Sequence, residues 1–274
     1  MTSLVACLLA SISASSEECM DDLQMIDYSE MEEIECTISP IDRSRIHPKG
    51  SAAVTASGQT VSSNWSGYVA APTFQQSATG SVTYAAGCWT VPTLSATPDN
   101  SYCAIWIGID GFLDGSVEQI GTSHNWVQGV QQNYAWFEMY PQGAFEIIGF
   151  PVDNGDVISA RVGYKGNDTF KLVIFNHTKG VSTVIPAWYT TSPGTSRSSA
   201  EWIVEAPYSG SILPLSDFQL TTLNYCSAII NGVQGTIGEW VNDAITMEGW
   251  CGVKALPSAL LKNGSAFSVA WESE

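Results

Sequence analysis

The 274-residue sequence is poor in basic residues. It has 10 Lys and Arg against 27 Asp and Glu, which gives a formal net charge of -17 at neutral pH. Binding to a nucleic-acid backbone needs clustered basic side chains that displace counterions, so this charge balance argues against a nucleic-acid partner. Only 7 basic residues follow Gly50, and protonation of the carboxylates would leave few positive charges to repel one another. The composition therefore favours a protein that stays folded in acid.

Familiar catalytic and metal-binding signatures are also missing. The sequence has no C-x-x-C, and its three histidines lack the spacing of metal ligands. His124 is interpreted as a loop histidine rather than a general base. The G-x-S-x-G motif of serine hydrolases and the D-[TS]-G motif of pepsin-like peptidases do not occur. The sequence thus predicts no metal site, and it leaves carboxylate and carboxamide side chains as the candidate chemistry.

No helical period of convincing length occurs after Val61, where apolar and polar residues alternate instead. In A-I-W-I-G-I-D-G the three isoleucines share one face of a strand, and Trp106, Gly108 and Asp110 share the other. The segments around Glu138 and Glu205 alternate in the same way. Further strands are predicted at residues 67–71, 80–91, 157–164, 170–176, 218–223 and 266–271. The predicted class is all-β and antiparallel, with two packed sheets.

The N-terminal region differs in composition from the rest of the chain. Residues 1–15 contain an apolar run that is too short to cross a bilayer and ends in small residues, as a signal peptide does. Residues 16–59 are interpreted as an acidic pro-segment or linker, with a short helix expected around residues 28–34. Residues 60–274 are the predicted folded domain. We expect a secreted protein, monomeric and without a membrane partner in its mature form.

Four cysteines fall in the β-rich part of the sequence. An even number of cysteines in a secreted protein favours two disulfides. The pairings that close the shortest loops are Cys88 with Cys103 and Cys226 with Cys251. The alternative is that these residues are buried free thiols.

Seven short blocks occur in an order that carries a family resemblance. They are S-S-N-W-S-G-Y-V, W-x-V-P, W-I-G-I-D-G, Q-I-G, W-F-E-M-Y-P, G-D-V-I and A-E-W-I-V-E, between residues 62 and 205. In this order the sequence resembles the glutamic peptidases, the eqolisin family, and its W-S-G-Y-V form is closer to the prokaryotic branch. The resemblance implies a concanavalin A-like β-sandwich with a substrate groove on its concave face. It also implies an endopeptidase that acts on polypeptides in acid without metal or cofactor.

By the same resemblance, the catalytic pair falls on Gln119 and Glu205. An ionised Glu205 can take a proton from the attacking water and return it to the departing amine. The neutral amide of Gln119 can stabilise the oxyanion and orient the water. Glu118 precedes Gln119 but points to the opposite strand face, so it is not expected to be a partner.

The resemblance also implies four substrate-binding residues. Trp106 and Glu138 match positions that line the groove, and Asp110 and Tyr140 are further candidates. Cross-strand packing of Trp106 and a solvated Glu138 are the alternatives. Glu201 lies on the Glu205 face but roughly 13 Å away along the strand, so it is interpreted as an ordinary polar-face residue.

Two other functions use the same residues differently. A carbohydrate-binding sandwich could stack sugar rings on the aromatic side chains of a concave face. A glycosidase could use Glu138 and Glu205 as a carboxylate pair. Gln119 argues against both, because neither needs a carboxamide at this place.

The N-terminal sequence departs from the pattern of the family. Pro-segments of the fungal relatives are rich in lysine, whereas residues 17–42 contain ten acidic residues. A lysine-based electrostatic clamp on an acidic enzyme is therefore not expected in this chain.

Overall fold

The regular structure is almost entirely β. A computed structural model describes residues 31–41, 53–54, 60–74 and 79–274. The strands are β1 (Glu32–Glu33), β2 (Thr37–Pro40), β3 (Ala53–Val54), β4 (Thr60–Ser62), β5 (Trp65–Ala71), β6 (Val82–Thr90), β7 (Ser101–Ile109), β8 (Val117–Val127), β9 (Val130–Tyr140), β10 (Phe145–Ile148), β11 (Val157–Gly166), β12 (Thr169–Asn176), β13 (Val181–Val184), β14 (Ala200–Glu205), β15 (Leu220–Ile230), β16 (Val233–Thr236), β17 (Val241–Gly249), β18 (Gly252–Pro257) and β19 (Phe267–Trp271). The predicted all-β class is confirmed.

Helical structure is limited to single turns within these described ranges. Three 3-10 helices occur, at Ala187–Tyr189, Ile237–Glu239 and Lys262–Gly264. No helix in the described part of the chain is long and apolar enough to cross a membrane.

Strand pairing produces two layers. The first, here called the site layer, has the order β2-β10-β9-β8-β7-β14-β5-β17. The second, the back layer, has the order β1-β13-β12-β11-β6-β15, with β16 and β19 pairing along β15. Strand β18 pairs with both β17 and β19, so hydrogen bonding continues from one layer to the other. Most pairs are antiparallel; β1 with β13 and β4 with β17 are parallel.

The hydrophobic core lies between the layers, as the alternation predicts. Ile105, Ile107 and Ile109 are fully buried there, and each such side chain stabilises the fold by roughly 1.5–3 kcal/mol. The opposite face of the site layer carries a second cluster built around Trp106 and Trp136. We call it the aromatic cluster. This face is buried in the described structure instead of forming the expected open groove.

Side chains from outside the sheet account for the closure of this face. Ile41, Phe74 and Phe112 all pack against the aromatic cluster. Phe74 and Phe112 come from two different loops, and their ring centroids are 5.4 Å apart. The face is therefore covered by loops and by the N-terminal segment.

The structure contains each of the predicted strands, but the residues at which they begin and end differ from the prediction. The predicted strand at 218–223 is only the first part of β15, which extends to Ile230. The expected helix around 28–34 is wrong where the structure describes it, because Glu32–Glu33 pairs with β13 as a strand; residues 28–30 lie outside the described residues. The proposed signal peptide at 1–15 also lies outside them. His124 is buried within β8 and is not in a loop.

Both predicted disulfides are wrong, because Cys103, Cys226 and Cys251 are free thiols. Cys103 points into the core, whereas Cys88 alternates with the core residue Trp89 on β6 and faces away from it. Cys226 is buried in the core, but Cys251 is exposed at the turn between β17 and β18. Short sequence separation therefore did not bring either pair of sulfurs together.

Gly67 permits the close approach of two central strands. A Cβ atom at this position would lie 2.1 Å from the carbonyl oxygen of Trp202 on β14, and the φ of Gly67 is 152°. We expect Gly67→Ala to lower the free energy of unfolding by about 3 kcal/mol or more, because overpacking and backbone strain add. Gly163→Ala is the matched control, since its nearest neighbour atom would be 3.6 Å away. Equal urea midpoints for the two variants would contradict this account.

Candidate active site

Gln119 and Glu205 lie on the same face of the site layer. Strand β7 separates them: Gly108 pairs with Gln119 of β8, and Ala104 pairs with Glu205 of β14. Trp106 stands between these two positions on β7 and shares their face. The sheet therefore places an amide and a carboxylate on either side of one buried indole ring.

The Glu205 carboxylate accepts a hydrogen bond at each oxygen. Asn64 Nδ2 donates to Oε1 at 3.0 Å, and Trp106 Nε1 donates to Oε2 at 2.7 Å. Glu205 is fully buried, and these two neutral side chains donate to its oxygens in place of bulk water. The two contacts also fix the orientation of the carboxylate.

Asn64 is itself oriented by the turn before β5. The Ser62 hydroxyl donates to Asn64 Oδ1 at 3.3 Å and accepts the backbone N–H of Trp65 at 3.2 Å. With its carbonyl oxygen engaged in this way, the Asn64 amide presents its N–H to Glu205. The sequence analysis identified the S-S-N-W-S-G-Y-V block, but it did not predict that Asn64 donates a hydrogen bond to the Glu205 carboxylate.

The Gln119 amide is held by the strand next to it. Gln119 pairs directly with Glu138 of β9, and its Nε2 donates to Glu138 Oε2 at 2.8 Å. This contact turns Gln119 Oε1 away from Glu138. The oxygen is buried and has no hydrogen-bond partner among the described residues. Because an unsatisfied buried acceptor is unfavourable, this atom is suited to receive a water or a substrate N–H.

Trp106 fits only because glycine flanks it. A Cβ atom at Gly108 would lie 2.8 Å from Trp106 Cζ3, and one at Gly121 would lie 2.6 Å from Trp106 Cβ. Trp65 meets the Trp106 ring edge-on, with centroids 5.0 Å apart. Its indole nitrogen is buried without a partner in the described part of the chain. The glycines of W-I-G and Q-I-G therefore make room for the ring that contacts Glu205.

Asp110 and Tyr140 lie farther from the pair. Asp110 directly follows β7 and has a φ of 71°. Its carboxylate accepts the backbone N–H groups of Arg197 and Ser198, each at 2.6 Å. These bonds order the loop that precedes β14. Tyr140 is half-buried at the end of β9 and packs against the aromatic cluster. The structure thus brings Trp106 and Glu138 to the pair, whereas Asp110 is engaged elsewhere.

A cluster of buried carboxyl groups lies beside this loop. Burial, together with the nearby Asp114, raises the pKa of Asp110 to about 7 despite the hydrogen bonds that it accepts. Burial also raises the pKa values of Glu118 and Glu201 well above their ordinary range. Glu201 is fully buried and is not the ordinary polar-face residue that the sequence suggested. No group of three potential ligands that could hold a metal ion occurs among the described residues.

Similarity to known proteins extends over most of the folded region. A profile of the Peptidase A4 family matches residues 63–271. Aspergillopepsin-2 of Aspergillus niger is 28% identical over 208 residues, which are 68% of this chain and 70% of the relative.

Solved structures support the fold. Scytalido-glutamic peptidase with a transition-state analogue inhibitor has a TM-score of 0.64 at 19% identity, covering 77% of this chain and 98% of the other. SCP-B, an eqolisin solved in complex with the tripeptide Ala-Ile-His, has a TM-score of 0.60 at 18% identity, with the same coverage of both chains. The β-sandwich expected from the resemblance is confirmed. The profile match spans most of the chain, and the chain belongs to the Peptidase A4 family of glutamic endopeptidases, the eqolisins.

Proposed function

We propose that Glu205 and Gln119 are the catalytic pair of an endopeptidase that acts in acid. One observation carries the proposal. A carboxylate held by two neutral donors shares a buried sheet face with an amide whose carbonyl oxygen has no partner among the described residues. The two hydrogen bonds fix the orientation of the Glu205 carboxylate, which can then act as a general base on a bound water.

The proposed reaction begins with water at Glu205. The carboxylate removes a proton as the water oxygen attacks the scissile carbonyl carbon, which forms a tetrahedral intermediate. Glu205 then donates that proton to the amine nitrogen as the carbon–nitrogen bond breaks. One carboxyl group thus serves as base and then as acid, and it ends the cycle ionised.

Gln119 complements this chemistry without adding a charge. Its Oε1 can accept a hydrogen bond from the attacking water, and its second amide hydrogen can stabilise the oxyanion. Glu138 fixes the amide orientation through the 2.8 Å bond to Nε2. We assign Glu138 to positioning within the substrate site.

The substrates are polypeptides. Trp106 supplies an aromatic wall beside Glu205, and Tyr140 extends the aromatic surface at the end of β9. Asp110 contributes by ordering the loop before β14. We further propose that the mature enzyme is secreted, on the basis of the signal-like residues 1–15, and that it acts as a monomer.

Digestion of a denatured protein between pH 3 and pH 6 tests the proposed activity. The purified chain should generate internal peptides with new amino termini, detected by mass spectrometry, and pepstatin should not inhibit it. Absence of cleavage across this pH range would overturn the proposal.

Asn64 provides a test of how Glu205 is held. We expect Asn64→Ala to lower kcat by roughly 10- to 100-fold with little change in KM, because one hydrogen bond to a charged group is lost. Asn242→Ala is the control, since its amide donates to the Trp240 carbonyl away from the pair. An unchanged kcat in Asn64→Ala would show that this contact does not support catalysis.

A further inference from the structure

One loop forms part of the cover over the aromatic cluster. Residues 110–116, here called the Phe112 loop, connect β7 to β8. Phe112 packs against the cluster, and its ring centroid lies 5.4 Å from that of Phe74. Gly111 lies against Trp65, because a Cβ atom at Gly111 would be 3.0 Å from Trp65 Cη2. The Phe112 loop therefore helps to shape the face that carries the proposed catalytic pair.

Two aspartates and a serine join the Phe112 loop to the loop before β14. Asp114 Oδ1 accepts the backbone N–H groups of Gly111 and Ser116 at 3.3 and 3.2 Å, within the Phe112 loop. Ser198 Oγ lies 3.0 Å from Asp110 Oδ1 and 2.7 Å from Asp114 Oδ2. The Ser198 hydroxyl thus bridges two carboxyl groups that both belong to the Phe112 loop.

The number of hydrogens available at this bridge depends on pH. The Ser198 hydroxyl has one hydrogen, so it donates a full hydrogen bond to only one of the two carboxyl groups. The other contact is a hydrogen bond only when that carboxyl group carries a proton and donates it to Ser198 Oγ. With both carboxyl groups ionised, two acceptors would compete for one hydrogen and two like charges would meet across a single oxygen atom. The observed contacts are those of a pair that holds one proton.

Two further carboxyl groups lie beside this pair. Glu118 Oε1 accepts the Ser192 hydroxyl at 2.8 Å. Glu201 is fully buried, and neither of its oxygens has a hydrogen-bond partner among the described residues. Because burial disfavours the charged form of a carboxyl group, ionisation of either side chain would add to the repulsion at the bridge.

No ion pair offsets these charges within the described ranges. The guanidinium of Arg197 lies over the Tyr164 ring, with its Cζ atom 3.8 Å from the ring centroid. Asp110 and Asp114 take part in no salt bridge in the described part of the chain. Burial, together with Asp114, raises the pKa of Asp110 to about 7. The Asp110 carboxyl group is therefore protonated in acid and ionised above neutral pH.

We propose that Asp110, Ser198 and Asp114 share one proton in acid and thereby hold the Phe112 loop against the aromatic cluster. Loss of that proton separates the Phe112 loop from the loop before β14, so the groove keeps its substrate-binding shape only in acid. The three side chains are positioning residues, because they act on the groove through the loop and do not touch the substrate. The inference rests on the proposed peptidase function of the groove and adds a pH-dependent wall to it.

Hydrogen exchange of the Phe112 loop tests the proposal without requiring catalysis. Mass spectrometry measures backbone amide exchange of the full chain with Glu205→Gln at pH 5 and pH 8, corrected for the intrinsic exchange rate at each pH. We expect the protection of peptides that cover residues 110–116 to fall by about 10-fold or more from pH 5 to pH 8, because the loop opens locally when the bridge loses its proton. Equal corrected protection at the two pH values would overturn the proposal.

Asp114→Asn separates the shared proton from the rest of the side chain. Its amide oxygen accepts the N–H groups of Gly111 and Ser116, and its amide nitrogen donates to Ser198 Oγ as a protonated carboxyl group does. The Ser198 hydroxyl then donates to Asp110 at every pH. We expect this variant to lose no more than about twofold of its protection between pH 5 and pH 8.

Asp217→Asn is the matched control. It makes the same change in an aspartate whose Oδ1 accepts the backbone N–H of Gln219 at 2.9 Å, and its Phe112 loop should lose protection as in the parent chain. Ser198→Ala removes the bridging hydroxyl and should lower the protection of the loop about 10-fold already at pH 5. An Asp114→Asn chain that loses as much protection as the control would contradict the shared proton. Thermal unfolding at each pH identifies any variant that does not fold, and the parent chain alone still tests the proposal.

Activity measurements separate this inference from the proposed function. In chains that retain Glu205, the upper pH limit for digestion of a denatured protein should rise by about one pH unit with Asp114→Asn and stay unchanged with Asp217→Asn. An unchanged limit in Asp114→Asn would show that the loop does not govern the groove. If no chain cleaves the protein but the exchange differences persist, the catalytic proposal fails and the loop proposal stands. If the chains cleave it while loop exchange is independent of pH, only the loop proposal fails.

Discussion

Glu205→Gln is expected to lower kcat by about 10²- to 10⁴-fold, which is the usual contribution of a general acid–base group. Gln119→Ala is expected to lower kcat by about 10²- to 10³-fold, as loss of an oxyanion donor does. Both expectations follow from the placement of the two side chains on one face around Trp106. KM should change less than kcat, because both groups act on the transition state.

Matched controls distinguish catalytic loss from general damage. Glu248→Gln makes the same change in a half-buried residue of β17, and Gln234→Ala makes the same change at an exposed position of β16. Both controls should retain activity within about twofold. Loss of activity in the controls, or full activity in Glu205→Gln, would contradict the assignment.

Stability is expected to be higher in acid than above neutral pH. Burial raises the folded-state pKa values of Asp110, Glu118 and Glu201 above those of the unfolded chain. A raised carboxyl pKa contributes stability that is fully present below the unfolded value, near 4, and is lost as pH rises through the folded value. For Asp110 the folded value is about 7. The loss between pH 4 and pH 8 should be on the order of a few kcal/mol.

Urea unfolding at pH 4 and pH 8 measures this dependence, in the Glu205→Gln background to prevent self-digestion. A chain that also carries Glu118→Gln and Glu201→Gln should lose less stability between the two pH values, since the amides mimic the protonated acids. The other groups beside these three carboxyl groups are Asp114 and the hydroxyls of Ser192, Ser198 and Ser199. Equal stability of the singly substituted chain at both pH values would show that the cluster does not govern acid tolerance.

Alternation in the sequence was sufficient to predict the two faces of the central strands. The isoleucines of β7 point into the core and Trp106 points to the opposite face, because successive side chains of a strand must point to opposite sides. The strands from β16 to β18 were not predicted. Strand β17 pairs with β5, which is distant in the sequence, so local residue patterns do not predict this pairing.

The sequence predicted which side chains form the candidate site, but it did not predict the hydrogen bonds between them. A polar residue before a strand has several possible roles, so the bond from Asn64 to Glu205 emerges only when β5 and β14 pair. The burial of Glu201 depends equally on neighbours that are distant in sequence. Strands β1 and β2 were not predicted, because the acidic residues around them resemble a solvated linker, although Ile34, Cys36 and Ile38 alternate with polar residues.

A double-mutant cycle tests the central claim most directly. If Glu205 and Gln119 act on the same water and the same intermediate, their effects on kcat/KM are not additive. The chain with both Glu205→Gln and Gln119→Ala should then be about as slow as Glu205→Gln alone. A double variant whose loss of kcat/KM equals the product of the two single losses would contradict a shared catalytic site.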